Sequence, residues 1–526
     1  MIDFDRLAER IISLNVAARD YRELRTGPAG TLFFIEDVPA NGTGDVPGFG
    51  GAGGTLHRWQ LKERKSAVFA PNVATFAVSA DRKKVLLRTA GALGGLQIVE
   101  SDKGAPTPGQ GKLAATLRMW VDPRAEFAQM YEEGWRNQKH YLYVKNLQGA
   151  DYKKVHDLYV PFLQHVRHRA DLNTLLDWTG AEIAIGHSYV RGGDLPEVPN
   201  STGGLLGADY TIASGRYRIS RIFTGENWNP ELRAPLAGPG IDARVGDYII
   251  AIDGRELTSA DDISRLLDGT ANRQVVLQLN QRPVVEGARK VTVVPVAGEG
   301  GLRSRAWVER NRRIVDSLSS GKLAYVHLPN TAQPGYEALN RYYFAQQDRQ
   351  GAIIDERFNG GGSLADYIIE VLQRQMDGYF NNPVSDRKPF TSPAAGIWGP
   401  KVMIINEMAG SGGDAMPYMF QRRKIGPLVG KRTWGGLVGT WDTPVLVDGG
   451  TMIAPRGGFF DLDGKWAVEN EGVSPDIDVE NWLKELIAGH DAQLERAVAE
   501  GLRLLAEHPV VLKKEPVGPI RARPLP

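Results

Sequence analysis

The chain has 526 residues and a formal net charge of +1, which gives no electrostatic case for nucleic acid or an acidic membrane surface. Its length exceeds what one core supports, so roughly three or four domains are expected. The absence of cysteine excludes disulfides, thiolate catalysis and Cys-ligated metals. No stretch has the apolar length to span a bilayer. The amphipathic, acidic start MIDFDRLAERIISL lacks the basic-then-apolar order of a signal peptide, so a cytoplasmic location is expected.

Residues 1–115 are rich in short β runs broken by Gly, Pro, Asn and Asp. Val73–Thr89 reads as a strand, a polar Asp-Arg-Lys-Lys turn and a second strand, the pattern of a propeller blade. One to two such units are visible, too few to close a ring. Residues 116–200 switch to helical periodicity, with Tyr131, Trp135, Tyr159 and Phe162 at core spacing. His165 and His168 have a metal-compatible spacing, but Arg167 and Arg169 beside them mark a solvated basic face.

Residues 208–298 return to short strands around one helix expected at Ser259–Leu267. This segment resembles a PDZ domain over its whole length, with a carboxylate-binding loop between Pro235 and Ile241 and the strand and turn at Val245–Gly254. PDZ domains bind extended peptide by adding a strand at a sheet edge.

Residues 303–490 alternate strands and helices: a strand in KLAYVHLP, a helix at Tyr336–Gln347, a strand in GAIIDERF, a helix at Leu364–Met376, and the strand KVMIIN. The alternation predicts a parallel α/β sheet with sites at the C-terminal strand ends. Asn359-Gly360-Gly361-Gly362 brings free N–H groups to that edge; no Gly-Lys-Ser/Thr follows, which weakens a phosphate-loop reading. Residues 500–526 are expected to form a C-terminal tail, Pro- and Arg-rich at its end.

At Ala409-Gly410-Ser411-Gly412-Gly413 the strand breaks and a helix starts. Ser411 thus sits at a strand-to-helix turn, flanked by glycines, with the new helix's N–H groups directed toward its hydroxyl. That arrangement suits a nucleophile, although a serine here also suits a helix N-cap. A nucleophilic hydroxyl needs a base. Of the nine histidines, His187 stands out, because it ends the small-residue stretch Ala181–Gly186 and precedes a glycine break; His327, at a strand end, reads as structural.

The order of a propeller-like segment, a helical region with a His-Ser-Tyr turn, a PDZ domain and an α/β domain with NGGG and GSGGD resembles the tricorn-type proteases. The resemblance covers most of residues 1–490 and lacks the amino-terminal propeller half. It implies a multidomain α+β chain whose catalytic domain has the crotonase-like α/β fold of C-terminal processing peptidases. It also implies roles. Ser411 is the nucleophile, His187 the general base and Glu469, with Glu471 as its rival, the glutamate of a tetrad. Gly362 and Gly412 supply the oxyanion N–H groups. The family's serine before the histidine is replaced by Gly186, so Ser188 or a water supplies that link, or Glu469 meets His187 differently. Where the family reads basic P1 side chains with an aspartate, this chain has Phe380, with Asp377 and Asp386 nearby; a phenylalanine favours apolar P1 residues.

A serine endopeptidase acting on peptides is therefore expected, with no metal or organic cofactor. A homo-oligomer, with a hexamer as the candidate, is implied by the resemblance alone. The alternative is a non-catalytic PDZ-type peptide-binding scaffold. Acyl-thioester chemistry on a crotonase-like fold ranks last, since nothing resembles a CoA pocket.

Overall fold

The computed structural model describes residues 5, 14–37, 53–90, 95–107, 109–114, 118–196, 198, 201–226, 228–384 and 388–523. The amphipathic amino-terminal segment and Asp386 lie largely or wholly outside these residues. Two compact units result, one up to Asp122 and one from Pro123 onward.

The first unit is a single antiparallel meander of six strands in chain order. These are β1 (Tyr21–Thr26), β2 (Thr31–Glu36), β3 (Gly54–Gln60), β4 (Lys65–Val78), β5 (Lys84–Thr89) and β6 (Leu96–Glu100). Alternating apolar positions bring Phe33, Ile35, Leu56, Phe76, Val85 and Leu87 to one buried face. The β4–β5 hairpin follows the sequence pattern. Ser79 Oγ bonds Asp81 at 2.7 Å and accepts the Lys84 N–H at 2.9 Å, which closes the polar turn.

The second unit begins with helices α1 (Pro123–Tyr141), α2 (Tyr152–Tyr159) and α3 (Arg169–Ala181). Gly134 lets α1 approach α3 closely: a Cβ there would lie 2.6 Å from Leu176 Cδ2. His168 does not sit on a bare basic face; its Nδ1 accepts the Ala170 N–H and caps α3. This helical core is completed from far along the chain. Leu446 and Met452 pack among Met130, Leu172 and Leu176, and β7 (Val190–Arg191) pairs with β20 (Thr451–Met452). Arg169, 2% exposed, is paired with Asp448, whose carboxylate also accepts the Asp194 and Gly450 N–H groups at 3.0 Å each. Removing one partner of a buried pair strands the other charge. Asp448→Ala is expected to destabilise this unit by about 3 kcal/mol, read as a fall in the urea midpoint at unchanged slope.

The next segment is an antiparallel sheet in the order β13 (Arg289–Val293), β12 (Val275–Asn280), β10 (Tyr248–Ile252), β9 (Arg216–Ile222), β8 (Ala208–Ala213), with β11 (Arg255–Glu256) beside β10. Its helix α4 spans only Ile263–Leu266, shorter than expected. Local side-chain bonds explain this. Asp261 accepts the Thr258 N–H at 2.9 Å and hydroxyl at 2.8 Å, holding a turn, and Asp262 then caps the helix at Ser264 N–H.

Helix α5 (Gly300–Leu318) leads into a parallel sheet in the order β14 (Leu323–His327), β15 (Gly351–Asp355), β18 (Lys401–Ile405), β19 (Leu428–Gly430), β21 (Ile477–Asp478). Strands β14, β15 and β18 are buried along their whole length, as a sheet covered on both faces requires. One face packs against α5 and α10 (Ala492–Glu507); the other carries α6 (Gln333–Ala338), α7 (Ala365–Leu372) and α8 (Gly412–Arg422). The hairpin β16 (Gly378–Phe380) and β17 (Phe390–Ser392) follows α7, and the short helix α9 (Leu483–Ile487) precedes α10.

Helix α10 corrects the expected tail. It runs to Glu507, with Leu494, Ala497 and Val498 in the core against β14, β15 and β18, so only the residues after it are without regular structure. Its N-cap Asp491 binds the Arg357 guanidinium at 2.9 Å. Arg357 in turn grips Asp355, which accepts the Tyr325 hydroxyl at 2.8 Å. No helix among the described residues is long and apolar enough to cross a membrane.

Candidate active site

The C-terminal edge of the parallel sheet brings together the turns after β18 and β15. After β18 the chain reaches Ser411 with φ +58° and ψ −115°, a backbone conformation that strains any residue bearing a side chain. Asp414, fully buried, accepts the Ser411 N–H at 2.8 Å and so fixes this turn from inside the first turn of α8. After β15 comes the Asn359–Gly362 loop. Asn359 ties the two turns together: its carbonyl accepts the Gly410 N–H at 3.0 Å and its side chain accepts the Gly361 N–H at 2.9 Å.

The glycines here are demanded by closeness. A Cβ on Gly361 would lie 2.6 Å from Ser411 Cβ, and one on Gly412 would lie 2.3 Å from the Gly362 carbonyl oxygen and 2.0 Å from Thr331 Oγ1. Gly362 itself has φ +136°. Among the described residues no acceptor takes the N–H of Gly362 or of Gly412, and these adjacent backbones flank Ser411. Two free donors beside a serine at a helix N-terminus form a pocket for developing negative charge. Beneath them Glu356 is fully buried. Burial, with Asp414 and Asp355 nearby, pushes its carboxyl well above the ordinary carboxylate range.

His187 reaches this edge from the helical segment. It is 8% exposed, with its ring edge-to-face between Trp434 (centroids 5.4 Å apart) and Tyr189 (5.9 Å). Burial lowers its pKa, opposed by the charges of Glu469 and Asp414; the second of these belongs to the Ser411 turn, which places the imidazole within electrostatic reach of it. Its Nδ1 is buried and has no hydrogen-bond partner among the described residues.

Glu469 meets the histidine turn through backbone. One oxygen accepts the Gly186 N–H at 3.3 Å, and the other accepts the Leu437 and Val438 N–H groups at 2.7 Å each. Asn470 adds a bond to the Ala184 carbonyl at 2.9 Å. Of the two rival glutamates, Glu469 is thus at the site, and Glu471 is exposed. Ser188 does not provide the link expected of it, because its hydroxyl accepts from Gln138 Nε2 at 2.9 Å on the far side of the turn.

The expected substrate contacts Phe380 and Asp377 are not brought to Ser411. They follow α7 where its C-terminal end, with Arg374, shares a cavity of about 690 Å³ with Trp398 and Lys401 at the start of β18, the edge opposite Ser411. Phe380 stacks on Phe390, and its neighbour Tyr379 accepts the Lys513 N–H at 3.3 Å. Two residues at the site escaped the sequence reading. Asp414 had a signal in the Ser-x-x-Asp spacing of a capping box. Trp434 had only its glycine neighbours, Gly435 and Gly436.

Three family profiles match the chain in order: the tricorn protease C1 domain over residues 123–178, the tricorn protease PDZ domain over 204–298, and peptidase family S41 over 322–479. The last contains Ser411, Gly362, Gly412 and Glu469, and His187 falls between the first two. The Ser411 turn therefore lies in a segment that matches a peptidase family. Tricorn protease homolog 1 of Streptomyces coelicolor is 34% identical over 524 residues, 97% of this chain and 48% of its own length. The tricorn protease of Thermoplasma volcanium is 29% identical over 514 residues, 98% of this chain and 49% of its own. A crystal structure of the tricorn protease matches at a TM-score of 0.80 and 27% identity, covering 94% of this chain and 47% of that one. The chain is thus similar, in domain order and along nearly its whole length, to the carboxy-terminal half of the tricorn proteases. It spans about half the length of these relatives.

Proposed function

We propose that this chain hydrolyses peptide bonds through an acyl-enzyme at Ser411. The observation that carries the reading is the strained Ser411 turn with two unclaimed N–H groups, from Gly362 and Gly412, beside it. Ser411 Oγ attacks the scissile carbonyl while His187 takes its proton, and the carbonyl oxygen becomes an oxyanion held by the two N–H groups. Collapse breaks the C–N bond, His187 returns the proton to the leaving amine, and water then attacks the ester by the same route. Glu469 favours the imidazolium by its charge and holds the Gly186–His187 turn by its backbone bond. Neither step calls on a metal or organic cofactor.

The test is labelling with a fluorophosphonate alongside hydrolysis of a fluorogenic peptide library. The expected result is one label, mapped to Ser411, and loss of hydrolysis in step with labelling. Peptide binding without label or turnover would reject the reading. A pH profile gives an independent check. Since burial favours neutral His187, kcat/KM is expected to fall on the acid side with an apparent pKa below the ordinary histidine value, and an acid limb above it would contradict the assignment.

We also propose a homo-oligomer and a cytoplasmic location. Phe380 and Asp377 follow the end of α7 that lies away from Ser411 in the same chain, so on this reading a substrate contact by either is made to the Ser411 of another subunit. Light scattering that gives a monomer would remove both residues from the substrate site.

A further inference from the structure

We propose that the indole of Trp434 is the positioning element that holds the His187 imidazole against the Ser411 turn. This rests on reading His187 as the base of Ser411. The space around the ring is unusually specific. A Cβ on Gly186 would lie 2.7 Å from its Cζ2, one on Gly410 2.6 Å from its Cε3, and one on Gly436 2.3 Å from its Cζ3. None of these three glycines has a left-handed φ, so the backbone does not require them. The nearness of the ring does. Gly186 immediately precedes His187 and Gly410 immediately precedes Ser411, so the indole is wedged between the residues that introduce the base and the nucleophile.

The backbone that carries the ring is anchored on the nucleophile side. The Trp434 main-chain N–H donates to the Ala409 carbonyl at 2.9 Å. Its neighbours are bolted to the carboxylate that fixes Ser411: Thr433 Oγ1, Gly435 N–H (2.8 Å) and Gly436 N–H (3.0 Å) all donate to Asp414. From that base the indole reaches across to His187, edge-to-face. Tyr189 packs on the other side of the imidazole, and among the described residues no side chain orients it by a hydrogen bond. The Glu469 oxygens are taken by three backbone N–H groups, Ser188 is taken by Gln138, and His187 Nδ1 has no partner among the described residues. A ring serving only as core filler would be expected to be covered, yet Trp434 is 41% exposed.

The experiment compares Trp434→Ala, Trp434→Phe, Gly186→Ala and the double variant Gly186→Ala/Trp434→Ala, with Ser411→Ala as reference. Trp434→Ala is expected to lower kcat by about 10–100-fold with little change in KM, as a misplaced general base does. Its acid limb in kcat/KM is expected to move to higher pH as His187 gains solvent, with Glu469 and Asp414, the charges facing the ring, left in place. Trp434→Phe is expected to recover most of the activity. Gly186→Ala is expected to push the indole aside, reproducing both changes without removing it, and to cost nothing further once Trp434 is alanine. Should Trp434→Ala fail to fold, Gly186→Ala carries the same test, since the crowded atoms are the far end of a partly exposed side chain. Unchanged kcat and acid limb in either variant, while Ser411→Ala is inactive, overturns the role of Trp434 alone. Activity in Ser411→Ala overturns the catalytic reading beneath it.

Discussion

Replacing Ser411 by alanine is expected to lower peptide hydrolysis by at least about 10⁴-fold, because a missing nucleophile cannot be offset by the base or the oxyanion donors. Replacement by glycine should be equally inactive, and it separates chemistry from strain. Ser411 holds φ +58° and ψ −115°, and alanine keeps that strained conformation, whereas glycine adopts it freely. Ser411→Gly is therefore expected to be more stable than Ser411→Ala by about 1 kcal/mol, after allowing for the greater freedom of glycine in the unfolded chain. The check pairs a fluorogenic peptide assay with denaturant midpoints. A serine serving only as a helix cap predicts the opposite pattern, with intact hydrolysis in both variants.

The second large effect lies one residue on. A Cβ on Gly412 would meet Gly362 backbone oxygen at 2.3 Å and nitrogen at 2.8 Å, atoms that cannot swing away as a side chain can. Gly412→Ala must spread the two backbones whose N–H groups flank Ser411, and under the proposed mechanism the lost oxyanion donor is expected to cost about 10²–10³-fold in kcat. Gly360→Ala is the control. It lies in the same glycine run, yet a Cβ there meets nothing within 4 Å, and its N–H bond to the Pro329 carbonyl is unaffected. Near-normal activity in Gly360→Ala beside near-silent Gly412→Ala would show that geometry, rather than glycine content, matters in this loop. Equal losses in both would remove the oxyanion assignment.

Much of this arrangement was legible because it is local. The run Val402–Ile405 is a five-residue buried strand, and the break after it has no regular continuation except a turn and a helix, so Ser411 could be placed without coordinates. The PDZ-like sheet was equally legible from its alternating strands. Two kinds of feature were not. Helix ends depended on side-chain bonds such as Asp261 to Thr258, which compete with the backbone at a few tenths of a nanometre and leave no periodic trace. Long-range closure was also hidden: Trp434 against Gly186, Glu469 on the Gly186 N–H, and α10 beneath the sheet join residues whose spacing in the chain carries no signal. The partners of the Ser188 hydroxyl and of the Phe380 ring were hidden for the same reason. Ser188 accepts from Gln138, fifty residues away in the chain, and Phe380, placed by the family resemblance, stacks on Phe390.

The interleaving of β7 with β20, and of Arg169 with Asp448, has a consequence in time. A chain emerging from the ribosome presents His187 early and Ser411 more than two hundred residues later, and the strand that anchors the histidine turn appears only at Thr451–Met452. Long-range pairing of this kind is slow, because loop closure precedes any reward from contact. The Gly186–His187 turn therefore gains its Glu469 contact only once synthesis has passed that residue, so the full set of groups around Ser411 assembles late.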